Sequence, residues 1–235
     1  MTKEYSMKAG AVIVAAGEGS RMGMGGEKLF TRVGGVPLLA LTLKAYQGHP
    51  GIGPIVLVAS KEVQKRFDRE LRRHYGLSKV VAVVAGGRRR QDSVYKGLLA
   101  FPSPPPAVLI HDGDRPFVDD TIISAVLEGA ADGGAIAAVR AKDTIKRVTG
   151  EGMIVATLVR SELWLAQTPQ GFPYRFILNA HQSAQAEGWE VTDDASLVER
   201  LGVPVRVVEG SYDNIKITTP EDLELAKVIY KRRSD

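Results

Sequence analysis

Cysteine is absent from all 235 residues, which rules out disulfides and thiolate metal sites and fits the reducing cytoplasm, the expected location. No apolar run approaches the ~20 residues that cross a bilayer as a helix. Residues 1–6 lack an apolar signal core, so neither secretion nor a membrane partner is expected. Aromatic residues amount to 6% and do not interleave with the basic clusters, which argues against a base-stacking surface for nucleic acid. Histidine is sparse too: His49, His74, His111 and His181 form neither a triad-like nor a metal-like constellation. His49 and His74 read as loop and helix-surface residues, and His181 as part of an amphipathic helix. His111 ends a strand beside Asp112 and reads as structural rather than catalytic.

What is present is a mild basic excess, a formal net charge of +4 from 31 Lys and Arg against 27 Asp and Glu. The conspicuous clusters are residues 88–90 and 61–73. The second interleaves acids and bases, and its Val63, Phe67 and Leu71 recur every four residues, as on a solvated helix with one apolar stripe. Small anionic substrates account for this excess better than a polynucleotide does.

Short apolar runs alternate with helical patterns. Strands are expected over 9–14, 55–58, 80–84, 108–110, 135–139 and 205–208, and helices over 36–47, 61–75, 91–101, 119–131, 174–187, 193–201 and 220–232. The last helix has a clear start, with Thr219 as N-cap, Pro220 in the first turn, then Glu221 and Asp222. Such alternation predicts an α/β fold over 1–235: a mostly parallel, Rossmann-like sheet with helices on both faces. Residues 140–158 break the pattern. Two alternating segments, 143–148 and 153–158, flank a Gly-containing turn, the signature of a β-hairpin. A lone hairpin is only marginally stable in water, so this arm must pack on a second subunit or on its own domain.

Ligands of open parallel sheets bind beyond the carboxyl ends of the strands, which puts 15–28, 85–93 and 111–115 along one edge. The first of these reads Ala-Ala-Gly-Glu-Gly-Ser-Arg-Met-Gly-Met-Gly-Gly-Glu-Lys. Glycine lets backbone N–H groups approach an anion closely, and Arg21 and Lys28 add two cations, so the segment reads as a phosphate cradle. Its spacing fits neither the dinucleotide fingerprint nor the Walker pattern. A solvated glycine-rich connection is the bland alternative. Asp112, just past a buried strand, can reach Mg²⁺ or the hydroxyls of an acceptor, or simply form a turn. Asp193 and Asp194 suit the capping of a helix at least as well as chemistry, and an isolated Lys216 would be a surface charge.

Taken together, the motifs resemble those of the 2-C-methyl-D-erythritol 4-phosphate cytidylyltransferases. The matching residues are 15–22 with Lys28, Gly86-Gly87 before Gln91-Asp92-Ser93-Val94, and His111-Asp112-x-x-Arg115-Pro116. Asp143-Thr144-x-Lys146, Trp164 with Gln167-Thr168-Pro169-Gln170, 192–196, and Asp213-Asn214-Ile215-Lys216-x-Thr218 complete the set. The resemblance implies a nucleotidyltransferase fold that dimerises through the projecting hairpin arm. It also implies transfer of CMP from CTP to the sugar-alcohol phosphate with Mg²⁺ and release of pyrophosphate, a step of the non-mevalonate isoprenoid route. By the same resemblance Ala15, Ala16, Gly17 and Gly19 cradle the nucleotide, Gly86, Gly87 and Ser93 contact base and ribose, and Arg21 and Lys28 stabilise the transition state. Arg160 and Lys216 would position the acceptor phosphate, with Asp112, Arg115 and Thr144 around the acceptor.

One departure from the family pattern is the pair Gly113-Asp114. It creates an acid-x-acid sequence in which Asp114 either joins Asp112 at Mg²⁺ or pairs with Arg115. The same framework is shared by ribitol 5-phosphate cytidylyltransferases. Transferases for another base, and a non-catalytic nucleotide- or nucleic-acid-binding protein, are the remaining rivals.

Overall fold

The structure is a computed structural model that describes residues 8–17 and 25–234; Gly19 and Arg21 of the expected phosphate cradle lie outside the described residues. Strand β1 (Ala9–Ala15) is followed by a 3₁₀ turn at Gly25–Phe30, the short antiparallel pair β2 (Arg32–Val33) and β3 (Val36–Pro37), and helix α1 (Leu38–Gly48). Next come β4 (Ile52–Ala59) and α2 (Lys61–Arg66), which continues in π-helical turns over Phe67–Arg72. They lead to β5 (Val80–Ala85), α3 (Arg90–Leu99), β6 (Ala107–Asp112), α4 (Asp120–Gly129) and β7 (Gly134–Arg140). The chain then forms β8 (Lys146–Val148), β9 (Ile154–Thr157), β10 (Trp164–Pro173), α5 (Tyr174–Ala186), α6 (Ala195–Arg200), β11 (Val205–Glu209) and α7 (Pro220–Ser234).

Seven strands form one sheet in the order β11-β7-β10-β6-β1-β4-β5. All neighbours are parallel except β10, which runs antiparallel to both β6 and β7. The near-continuous Val/Ile/Ala strands are buried because helices cover both faces. On one face Leu39, Leu43, Phe67, Leu71, Ile123 and Val126 pack from α1, the α2 region and α4. On the other, Val94, Leu98, Ile177, Leu197 and Val198 pack from α3, α5 and α6. The expected stripe of Val63, Phe67 and Leu71 is fully buried. Helix α7 closes a smaller cluster with Val33, Leu38, Phe117 and Ile217, and Thr219 Oγ1 accepts the Asp222 N–H at its start.

Two expectations need correction. Val36 does not begin the first helix but pairs with Val33, and α1 starts after Pro37. More consequentially, no strand was expected over Trp164–Pro173, yet β10 lies in the middle of the sheet. Gln167, Thr168, Pro169 and Gln170 read against a central strand, since proline cannot donate to a ladder. The register of β10 on β7 shifts between Ala166 and Gln170, and the polar side chains there find partners instead. Gln167 bonds Ser211, Thr168 Oγ1 accepts the Asp112 N–H, and Gln170 bonds Asp193 and the backbone of Asp194 and Ala195.

The hairpin is present. β8 and β9 form a two-stranded sheet of their own, with Val148, Met153, Ile154 and Val155 all exposed. The Ala141 N–H donates to the Leu163 carbonyl across the base of the arm. With those side chains uncovered, the arm stands off the sheet rather than lying on its own domain.

Candidate active site

The carboxyl ends of β1, β5 and β6 meet at one edge of the sheet, around a cavity of about 580 Å³. Its walls include Ala16 and Gly17 from β1's exit, Gly87 and Ser93 from the β5–α3 turn, and Asp112 from β6. The turn is held by Ser93, whose Oγ accepts the Gly87 N–H at 3.0 Å and lies 3.1 Å from the Arg89 carbonyl. Gly86 has no room for a side chain: a Cβ there would lie 2.3 Å from Ala16 Cβ. The two backbone segments expected to flank a nucleotide are therefore in close contact.

Asp112 is the electrostatic centre of the site. Its Oδ1 takes Arg90 Nε at 3.2 Å, and its Oδ2 takes Lys216 Nζ at 2.9 Å and Arg115 Nε at 3.4 Å. Burial raises its pKa, but Arg90, Lys216 and Arg115 outweigh that and hold the carboxyl well below the usual carboxylate range. Lys216 reaches it because the segment before it is threaded along β10. Buried Asn214 donates to the Thr168 carbonyl at 2.8 Å, and its own carbonyl accepts Arg115 Nη1 at 2.8 Å. The isolated-lysine reading thus gives way to a lysine fixed in the site by its neighbours.

Lys28 is almost buried. Its Nζ donates to Asp114 Oδ2 and to the Ile217 carbonyl, both at 2.8 Å. Asp114 therefore pairs with Lys28, not with Arg115. Asp112 and Asp114 both face the cavity, but each already has cationic partners, three and one respectively. Among the described residues no group of three or more His, Asp or Glu could hold a metal ion. In this arrangement both carboxylates are engaged by the chain's own cations.

His111 is structural. Its ring is fully buried, 3.0 Å from Thr168 Oγ1 on one nitrogen and 3.1 Å from the Arg115 carbonyl on the other. Burial pulls its pKa down to about 4. His49, in the loop after α1, is buried with its ring 3.0 Å from Ser124 Oγ, and His181 is buried against Asp194. At the start of α6 it is the Asp193 side chain that accepts the Ser196 N–H; Asp194, at the N-cap position, makes no such bond and points inward instead.

Thr144 and Arg160 are not brought to this cavity. Both are exposed at the arm, where Arg160 donates to the Lys142 carbonyl at 2.9 Å. The sequence reading missed that the whole basic run Arg88, Arg89 and Arg90 lines this cavity, with Arg90 between Asp112 and Asp194. The place of Arg90 at the first position of a helix after Gly86-Gly87, on the ligand edge, was the available signal.

The family model for 2-C-methyl-D-erythritol 4-phosphate cytidylyltransferase matches residues 9–232. The chain belongs to this family. Among relatives bearing the cytidylyltransferase's name, the one from Pelotomaculum thermopropionicum is 44% identical over 227 residues, covering 96% of this chain and 95% of that protein. The one from Geobacillus thermodenitrificans is 48% identical over 224 residues, covering 95% and 97%. The crystal structure of the cytidylyltransferase from Thermus thermophilus is 34% identical, with a TM-score of 0.76 over 94% of this chain and 98% of that one. That of 4-diphosphocytidyl-2C-methyl-D-erythritol synthase from Anaerococcus prevotii is 30% identical, with a TM-score of 0.82 over 96% and 99%. The nucleotidyltransferase fold and the arm expected for a cytidylyltransferase are thus both in place.

Proposed function

We propose a division of labour for this chain's reaction, the transfer of CMP from CTP to 2-C-methyl-D-erythritol 4-phosphate with release of pyrophosphate. The obstacle is the meeting of two anions. Unit charges 4 Å apart repel by about 4 kcal/mol at an effective dielectric of about 20. The observation that carries the reading is the convergence of Lys28, Arg90, Arg115 and Lys216 around the cavity where the glycine turns meet. Fixed cations cost no reorganisation as charge builds on the transferring phosphorus and the leaving pyrophosphate.

In this reading Ala15, Ala16, Gly17 and Gly19 cradle the nucleotide, Gly86, Gly87 and Ser93 hold base and ribose, and Arg21 and Lys28 stabilise the transition state. Lys216 and Arg160 position the acceptor phosphate, with Asp112, Arg115 and Thr144 around it. Thr144 and Arg160 come from the arm of a second subunit, which makes the working unit a homodimer. A phosphate monoester has a second pKa near ~6, so the attacking oxygen is largely ionised at neutral pH and no general base is required. His111, neutral and clamped behind the strand, fits that requirement. Mg²⁺, when bound, would supply further neutralisation of the triphosphate. The absence of cysteine and of any described helix long and apolar enough to cross a membrane agrees with a cytoplasmic enzyme.

The test is pyrophosphate release across CTP, ATP, GTP and UTP, each with methylerythritol phosphate or ribitol 5-phosphate. Release is expected only with CTP and methylerythritol phosphate. Arg21→Ala and Lys28→Ala should lower kcat by a hundredfold or more, as loss of a transition-state donor does. Arg160→Ala and Lys216→Ala should also raise the acceptor KM. Equal rates with ribitol 5-phosphate would overturn the acceptor, and wild-type rates in all four variants the assignments.

A further inference from the structure

Asp194 is 1% exposed and leaves the capping of α6 to its neighbour Asp193. One of its oxygens accepts Arg90 Nη1 at 2.7 Å, and the other lies 3.2 Å from His181 Nε2. Arg90 in turn reaches Asp112 at 3.2 Å through Nε. A continuous run of polar contacts therefore connects α5 and α6 to the cavity, through His181 and Asp194, which have no part in the phosphate chemistry above. A carboxylate this buried forfeits its hydration, a cost of several kcal/mol that only well-placed partners offset.

We propose that Arg90 is a positioning residue that takes up part of the charge of Asp112, with Asp194 as its anchor, so that Lys216 stays available to the acceptor phosphate; this rests on the acceptor role of Lys216 given above. Arg90 occupies one oxygen of Asp112, while Lys216 and Arg115 share the other. Arg115 is fixed from its far side by the Asn214 carbonyl. Lys216 is the half-exposed member, and Asp112 is its one hydrogen-bond partner among the described residues. Without Arg90, the carboxylate has only Lys216 and Arg115 to neutralise it, and the adjustable ammonium is drawn onto it and away from substrate. Asp194 is needed because an unanchored guanidinium at the cavity wall would turn to the triphosphate instead. His181 holds the far oxygen of Asp194, so that the carboxylate presents its other edge to Arg90.

The experiment measures pyrophosphate release by Arg90→Gln, Arg90→Lys, Asp194→Asn and the wild type, varying CTP and methylerythritol phosphate in turn, with thermal unfolding of each. For Arg90→Gln we expect an acceptor KM raised tenfold or more and a CTP KM within twofold of wild type. Arg90→Lys should recover to within threefold on the acceptor, and Asp194→Asn should show the same split more weakly. If the neutral variant does not fold, the acceptor-only rise in Arg90→Lys and Asp194→Asn carries the test. Equal shifts in both KM values, or a lysine no better than glutamine, would overturn the role of Arg90 alone. A wild type that releases no pyrophosphate overturns the assigned reaction, and this role with it.

Discussion

Asp114 and His111 lie close together in the chain and have opposite relations to charge. Asp114 gives Lys28 one of its two fixed bonds, the other coming from the Ile217 carbonyl. A hydrogen bond to a charged group is worth about 1.5–3 kcal/mol, so Asp114→Ala leaves the ammonium free to wander. We expect kcat to fall about tenfold, which corresponds to ~1.4 kcal/mol of transition-state stabilisation. The Mg²⁺ concentration at half-maximal rate should stay within twofold of wild type, because the carboxylate serves the lysine. A large rise in that concentration would make Asp114 a metal ligand after all. His111 excludes charge instead. Burial lowers its pKa from 6.5 to about 4, with the hydrogen bond to the Arg115 carbonyl and the charge of Asp112 opposing the shift and the charges of Arg115 and Lys216 reinforcing it. The folded chain thus binds fewer protons than the unfolded one between those values, so stability is lost as pH falls from 6.5 toward 4. The full effect is about 3 kcal/mol for one histidine at ~1.4 kcal/mol per unit. His49, also lowered by burial, adds to the same window. Urea unfolding at pH 7 and pH 5 should show a shallower loss for His111→Gln than for wild type; an unchanged loss would remove His111 from the account.

At the scale of elements, most of the sheet was legible because parallel strands buried on two sides must be continuous apolar runs, and six such runs stand out between helical patterns. The ligand edge was legible for the same reason: once β1, β5 and β6 are parallel, their exits converge. What escaped was carried by polar residues buried with partners far away in the chain. β10 was hidden because Gln167, Thr168 and Gln170 satisfy Ser211, Asp112 and the start of α6, contacts that no local pattern can reveal. Arg90 was hidden in a run of three arginines, in which its neighbour Arg89 pairs with Asp92 and Glu190 near the surface. The pairing of Asp114 with Lys28 spans 86 residues, a separation no local pattern can bridge. The motif around Lys216 drew its weight from family resemblance, and Asn214 supplies the physical reason: a buried amide fastened to β10 fixes the two residues that follow it.

At the scale of the molecule, the arm raises the question of which chain completes a site. Ile154 is 64% exposed, and its neighbours Met153 and Val155 add to an apolar surface that one chain leaves uncovered. Surfaces of this kind mark interfaces, and a two-fold pairing of arms would bury it on both subunits. Ile154→Asp, on an exposed strand, should leave the fold intact while shifting the sedimenting species from twice the chain mass of 25.4 kDa to that mass itself. Activity should fall with it, since Thr144 and Arg160 act across the interface in this reading. Complementation separates trans from cis action more sharply. Lys28→Ala has an intact arm and a damaged cavity, and Arg160→Ala the reverse. A mixed dimer then holds one site built from the sound cavity of the second chain and the sound arm of the first. With random exchange half the dimers are mixed, so a mixture of two nearly inactive proteins should recover about a quarter of wild-type activity. If the arm served its own chain, each mixed dimer would hold two damaged sites, and no recovery at any mixing ratio would rule out sharing between subunits.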